Sequence, residues 1–380
     1  MTQKELHKLV MKHSNNCTFL IGNGINRYAN IGCSWEELLK ALASVYCPSL
    51  KLECIPHGLS YTEYFDLLDI YRIKETPNFN SENFSRIVSL CSSKELSPKY
   101  FYGLDELLLK KPVNLSLSEI EKNVRANEDV FNNTNLLENC NIAMLLTTLG
   151  DKLKPALNNS LAKSICFFMN EWNPVTVHKK ITSFAKQKNI PILTTNYDNL
   201  FEKSCNASLH KYDNKLANES LPISYCYTTL STPSFEKFGI WHVNGMIEFP
   251  QSLLIGLTHY MRTLESIRSL LLPPNKFNAE LFQGNLMRLE NIYETWIHLL
   301  FSKDIFIFGL SLNSDEVLLR WLLLERSKYY SLFPYVERNA WYILPESEQI
   351  ELGKQYFLNT VGIKIIRVPT YDAIYKAFSV

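Results

Sequence analysis

The sequence lacks several patterns by which common classes of protein are recognised. No Cys-x-x-Cys pair occurs among its nine cysteines, which argues against a zinc ribbon and leads us to expect no zinc. No Walker phosphate loop, no Gly-x-Ser-x-Gly elbow and no His-Glu-x-x-His pair occurs either. The sequence therefore does not predict a P-loop NTPase, an α/β-hydrolase or a zincin protease.

Charge of one sign and long apolar runs are also missing. Lys plus Arg number 39 and Asp plus Glu 38, so the net charge is +1 and we expect no direct nucleic-acid binding. No uninterrupted apolar run approaches the roughly 18 residues of a membrane helix. The first residues, from Met1 to Lys8, lack the apolar core of a signal peptide. We therefore expect a cytoplasmic protein that makes no membrane contact.

Glycine is scarce in the middle of the chain. Only three of the 13 glycines lie between Cys33 and Phe238, and a glycine-poor stretch rich in Leu, Lys, Glu and Asn favours helices. We predict a mainly helical insertion at 61–178, preceded by a helix that Ser34 and Glu37 open in a capping-box pattern. The flanking segments, 1–60 and 179–380, are predicted to form a single domain.

Short apolar runs alternate with helical segments outside this insertion. Buried strands are predicted at 17–21, 190–195, 239–245, 304–309, 340–344 and 363–368, and 253–256 could form a further one. Helices are predicted at 258–271, 279–302 and 314–330. This alternation predicts an α/β fold, a Rossmann-like, doubly wound parallel sheet with a mainly helical insertion.

Polar clusters follow four of these strands, at the end where such sheets bind ligands. They occupy 22–26, 196–198, 242–244 and 311–315, and we expect all four to converge on one crevice. Each cluster also has an ordinary structural interpretation, as a tight turn, a helix cap or a satisfied core histidine.

The first two clusters have the residue types of a nucleotide site. Gly22 and Gly24 could let backbone N–H groups approach a phosphate closely. Asn196 and Asp198 place an amide and a carboxylate two residues apart at a strand end, where they could hold a polar ligand.

The other two clusters add a titratable group and a hydroxyl. His242 and Asn244 lie two residues apart on a strand and therefore share a face. Only His242 can take up a proton near neutral pH. Ser311 can offer its hydroxyl to a ribose or a phosphate.

The order of these motifs carries more information than any one of them. Gly-Asn-Gly-Ile-Asn, Thr-Asn-Tyr-Asp-Asn-Leu, a His-containing strand before Gly245, and Gly-x-Ser-Leu together resemble the sirtuin-like family of NAD-consuming enzymes. The resemblance covers 17–47 and 190–330. The stretch from Trp241 to Tyr260 looks like the bacterial antiphage branch of that family, and the chain is similar to the sirtuin-like subunit of the HerA-associated (Nezha) systems.

The resemblance implies an NAD glycohydrolase that releases nicotinamide and ADP-ribose. It further implies antiphage defence by NAD depletion, as a homo-oligomer in complex with a HerA-family hexameric ATPase. NAD would lie along the carboxyl edge of the sheet, with Asn196, Asp198 and His242 as catalytic residues. The implied NAD-binding residues are Gly22, Gly24, Asn26, Asn244 and Ser311.

Two departures from the family pattern bear on the activity. The absence of paired cysteines removes the zinc module of the deacetylases and argues against acetyl-lysine recognition. The histidine that usually precedes the glycine of the third motif is replaced by Asn244, with His242 two residues earlier. We assign His242 an acid–base or ribose-orienting role and Asn244 a supporting hydrogen bond. The alternatives are an NAD-dependent deacetylase or ADP-ribosyltransferase, and a non-catalytic NAD- or ADP-ribose-binding assembly module.

Overall fold

A computed structural model describes residues 1–31, 37, 39–40, 59–75, 165–166, 169–170, 172–213, 215–216, 218–230, 235, 237–271 and 289–378. The chain divides into two compact units, Met1–Gly32 with Met169–Val380, and Cys33–Phe168. The helix predicted after Ser34 and most of the predicted insertion lie outside the described residues. The division into 1–60 with 179–380 and 61–178 therefore stays a prediction.

The larger unit is built on one eight-stranded sheet. Its strands are β1 (Cys17–Ile21), β2 (Ile192–Thr194), β3 (Ser208–Lys211), β4 (Tyr225–Thr228), β5 (Ile240–His242), β6 (Asp304–Phe308), β7 (Ala340–Pro345) and β8 (Ile363–Val368). They lie in the order β3-β4-β5-β2-β1-β6-β7-β8. From β5 to β8 all neighbours pair in parallel, whereas the β3–β4 and β4–β5 pairs are antiparallel. The predicted α/β, Rossmann-like fold is confirmed.

Helices of the larger unit connect its strands and cover the sheet, and one described helix belongs to the smaller unit. Those described are α1 (Gln3–His13), α2 (Gly24–Tyr28), α3 (Tyr61–Glu75), α4 (Thr176–Gln187), α5 (Leu200–Cys205), α6 (Leu257–Leu271), α7 (Trp296–Ser302), α8 (Val317–Leu332), α9 (Leu352–Thr360) and α10 (Tyr371–Ala377). Helix α3 belongs to the smaller unit, and the others belong to the larger one. In the described part of the chain no helix is both long and apolar enough to cross a membrane.

The central strands are buried because helices pack on both faces of the sheet. Every residue of β1 and β6 is buried. Side chains alternate between two apolar layers, as the pleat requires. Leu20 and Ile307 belong to one layer, whereas Phe19 and Phe306 belong to the other. Two-sided burial explains why these strands are continuous apolar runs in the sequence.

The register of the sheet brings the strand ends level with one another. Ile21, the last residue of β1, is opposite both Thr194 of β2 and Phe308 of β6, and Thr194 is opposite His242 of β5. The four polar clusters therefore leave the sheet along the same carboxyl edge.

Three features differ from the sequence predictions. Residues 253–256 form no strand, because this segment makes a single backbone bond to β5's continuation, from Leu254 N to Asn244 O at 2.9 Å. The antiparallel strands β3 and β4 were not predicted. The helix predicted at 279–302 begins only at Trp296, where the Thr295 hydroxyl caps it by accepting from His298 N; residues 272–288 lie outside the described part.

Candidate functional site

The turn after β1 is held against the segment that follows β6. Gly24 N donates to Gly309 O at 2.7 Å, and Gly22 N donates to Phe308 O at 3.3 Å. A Cβ on Gly24 would lie 2.7 Å from Gly309 Cα, and one on Gly22 would lie 2.7 Å from Gly309 O. Both glycines are thus required by close backbone packing, and their N–H groups already have protein acceptors.

Replacing Gly24 with alanine is therefore expected to destabilise the protein. Its Cβ would meet backbone atoms that cannot rotate away, and such overpacking costs about 1–3 kcal/mol. Urea denaturation measures the effect. Gly353→Ala is the matched control, because a Cβ at Gly353 meets nothing within 4 Å and alanine favours the α9 helix by up to about 1 kcal/mol. Equal unfolding midpoints for the two variants would contradict the packing argument.

A chain of hydrogen bonds fixes Asp198. Asn26 Nδ2 donates to Asp198 Oδ2 at 2.8 Å, and Asn26 Oδ1 accepts from His178 Nε2 at 2.9 Å. The other ring nitrogen of His178 accepts from Val175 N at 3.4 Å. Leu200 N donates to the second oxygen of Asp198 at 3.2 Å. Each carboxylate oxygen of Asp198 therefore accepts one hydrogen bond from the protein.

Burial sets the protonation of this chain. It raises the pKa of Asp198 to about 6, although the Asn26 bond opposes the rise. Burial also lowers the pKa of His178 to about 4. His178 is consequently neutral at physiological pH and donates from Nε2, which fixes the orientation of the Asn26 amide.

His242 is enclosed by two acceptors. Its Nδ1 donates to Asn196 O at 2.7 Å and its Nε2 to Glu202 Oε1 at 3.0 Å, and the ring is 1% exposed. Burial lowers its pKa, but the Glu202 carboxylate more than offsets this and raises the pKa to about 9. His242 is therefore a buried imidazolium that ties the start of α5 to the backbone of Asn196.

The side-chain amide of Asn196 has no partner of its own. Both its Nδ2 and its Oδ1 are buried without a hydrogen bond, whereas its backbone N donates to Thr194 Oγ1 at 3.1 Å. Leaving a buried polar group unpaired costs about 1–3 kcal/mol. Such an orphaned amide at the carboxyl edge fits a site that hydrogen-bonds a polar ligand.

Asn244 follows the end of β5 and reaches a carboxylate of another segment. Its Oδ1 is buried and unpartnered, and its Nδ2 donates to Glu316 Oε2 at 3.4 Å. Strands β5 and β6 are separated by two strands, or about 14 Å at the usual spacing. The segment after β6 therefore runs back across the carboxyl edge to place Glu316 beside Asn244.

Ser311 is placed differently from the other candidates. It is exposed, and its backbone carbonyl accepts from Tyr342 Oη at 3.1 Å. The hydrogen bonds thus link Asn26 with Asp198, Asn196 with His242, and Asn244 with Glu316, whereas Ser311 lies at the surface of the same edge.

Three residues of the site were not predicted from the sequence. His178, Glu202 and Glu316 act through partners that lie between 40 and 152 residues away in the chain. Only the spacing of Glu202 could have drawn attention, since it lies one helical turn after Asp198.

No group of three or more metal-ligating side chains occurs among the residues that the structure describes. The edge also holds amides and carboxylates, such as Asn196, Asn244 and Glu316, which can hydrogen-bond the hydroxyl and carboxamide groups of an organic ligand.

The fold is a Rossmann-like α/β sheet, and open sheets of this kind bind their ligands at the carboxyl ends of the strands. Residues 191–366 match the family model of the SIR2-like domain. This range includes Asn196, Asp198, His242, Asn244 and Glu316, whereas the turn after β1 lies outside it. SIR2-like domains are NAD-dependent enzymes, so the match supports a sirtuin-like family and an NAD-related activity. No curated protein matches the chain.

Proposed function

We propose that the protein is an NAD glycohydrolase that releases nicotinamide and ADP-ribose. The observation that carries the proposal is the buried, unpartnered amide of Asn196 at the carboxyl edge, within the segment similar to SIR2-like domains. NAD offers such an amide the ribose hydroxyls and the carboxamide of its nicotinamide half.

The chemistry requires a fixed polar environment rather than a strong acid. Breaking the bond between ribose and nicotinamide builds positive charge on the ribose, and oriented dipoles and a nearby carboxylate stabilise it. Asn196 and Asn244 would supply the dipoles. Asp198, held by Asn26, would supply the carboxylate.

In this proposal His242 orients the site and does not exchange protons. Both of its ring nitrogens already donate to protein acceptors, so it has no lone pair with which to take up a proton from a substrate. It would hold the backbone of Asn196, and therefore its amide, in place.

The biological role that we propose is antiphage defence by NAD depletion, as a homo-oligomer docked on a HerA-family ATPase. An enzyme that consumed NAD continuously would harm its own cell, so a partner is expected to control it. The sequence resemblance described above supports this role.

Incubation of the purified protein with NAD tests the proposed hydrolysis and its proposed control by a partner. We expect nicotinamide release, measured by chromatography, to be low for the protein alone and to rise when a HerA-family ATPase is added. Light scattering should give at least twice the 44.0 kDa mass of a single chain. A monomer that is fully active without a partner would disprove the gating, and NAD left intact under all conditions would disprove the hydrolase.

A further inference from the structure

Three titratable side chains along the carboxyl edge have every carboxylate oxygen or ring nitrogen in a hydrogen bond. Both oxygens of Asp198 accept hydrogen bonds, and both ring nitrogens of His242 donate them. His178 is likewise bonded through both nitrogens. Glu202 is 3% exposed; its Oε1 binds the His242 imidazolium and its Oε2 is buried without a partner. Proton uptake by the first three side chains would weaken a structural bond, and proton uptake by Glu202 would remove the charge that pairs with His242.

Glu316 differs from all four. Within the described residues, its carboxylate receives one side-chain hydrogen bond, from Asn244 Nδ2 to Oε2. The residue is only partly buried, whereas the Asn244 amide that it contacts is 4% exposed and has an unpartnered oxygen. Glu316 thus combines a free carboxylate oxygen with a position at the edge where the substrate would lie.

We propose that Glu316 is the general base of the site, an inference that rests on the proposed NAD hydrolysis. The oxygen of a water molecule would bond to the anomeric carbon of the nicotinamide ribose as the glycosidic C–N bond breaks. The electron pair of that bond passes to the nicotinamide ring nitrogen and neutralises its charge. The proton from the water passes to Glu316 and then to solvent, so the products are ADP-ribose, nicotinamide and one proton.

The surroundings of Glu316 suit this role. The carboxyl group is more enclosed than the residue as a whole, and its burial raises the pKa to about 7, while the Asn244 bond opposes the rise and Asp315 adds to it. Tyr260 faces it from α6. Arg320, one helical turn onward, donates to Leu312 O. A base works best when its pKa lies near the working pH. Turnover should therefore rise with pH through about 7 as the carboxyl ionises.

The test compares Glu316→Gln with the wild type over pH 5.5 to 8.5, with the activating partner present if one is needed. Glutamine keeps the size and a hydrogen bond to Asn244 but cannot take a proton. We expect nicotinamide release to fall about 10²-fold, within the range for general acid–base catalysis, and its rise through pH 7 to disappear. NAD affinity, measured by calorimetry, should change by no more than a few-fold.

Two further variants keep the test decisive. Glu337→Gln alters an exposed carboxylate just before β7, at the amino ends of the parallel strands. This variant should leave the rate and the pH profile unchanged. In Glu316→Ala, formate should restore part of the lost rate by replacing the missing carboxylate.

The outcomes separate this inference from the function on which it rests. A Glu316→Gln variant with the wild-type rate and pH profile would overturn the general base and leave NAD hydrolysis standing. A wild-type protein that binds NAD but releases no nicotinamide under any condition would overturn both.

Discussion

Asn196→Ala is expected to lower nicotinamide release about 10³-fold, which is the upper end of the loss seen when an oriented dipole is removed from an active site. Both ends of the amide are buried and unpartnered, so no other protein contact depends on them. The folded state should tolerate the change. Because an unpaired buried amide is costly, the variant should unfold at the same temperature as the wild type or a higher one. Nicotinamide chromatography and a thermal melt measure the two effects.

Asn199→Ala is the matched control for this experiment. Asn199 lies in the same loop, and its side chain donates to Asn170 Oδ1 at 3.3 Å. Its replacement should leave turnover within a few-fold of the wild type. If Asn196→Ala also keeps the wild-type rate, the carboxyl edge is not the site of hydrolysis.

Glu202→Ala is expected to lower the free energy of unfolding by about 3–5 kcal/mol. The change leaves the His242 imidazolium buried without its carboxylate, and breaking one side of a buried ion pair has this cost. Guanidinium denaturation at pH 7 provides the measurement. Glu346→Ala, at an exposed position, should change the free energy by no more than about 0.5 kcal/mol. A loss below 1 kcal/mol for Glu202→Ala would show that the pair is not charged.

The pair also gives a direction for the pH dependence of stability. Folding raises the pKa of His242 from its ordinary value near 6.5 to about 9, because the benefit from Glu202 exceeds the cost of burial. The folded state therefore binds a proton that the unfolded state releases above pH 6.5. The stabilisation is complete below about pH 6.5 and is lost as the pH rises through 9. This loss should be absent from a Glu202→Leu, His242→Leu double variant.

The sequence predicted the sheet and the edge better than the contacts made there. Continuous apolar runs such as Cys17–Ile21 are typical of strands covered on both faces, and the carboxyl ends of parallel strands necessarily share one edge. The side-chain partners were beyond this reasoning. That His242 meets Glu202 and that Glu316 reaches Asn244 depends on how α5 and the segment after β6 pack, and no periodicity records such packing.

The prediction for His242 illustrates the same limit. Alternation on a strand predicts that His242 and Asn244 share a face, but β5 ends at His242 and Asn244 lies beyond it. The pattern also cannot tell which of the two side chains is left without a hydrogen-bond partner. The structure supplies this information, because both ring nitrogens of His242 are hydrogen-bonded whereas Asn244 Oδ1 has no partner. The glycines are a second example: the motif predicts that Gly22 and Gly24 approach a phosphate, and the structure adds that both pack closely against Gly309.

The backbone of Gly24 packs directly against the backbone of Gly309, which makes the middle of the carboxyl edge rigid. Two backbone segments meet there with no side chain between them, so neither can shift without moving the other. Any adjustment to ligands of different size is therefore expected to come from the side chains of Asn244 and Glu316, which lie outside this backbone contact. Selection for a new substrate should accordingly change those two positions before it changes the glycines.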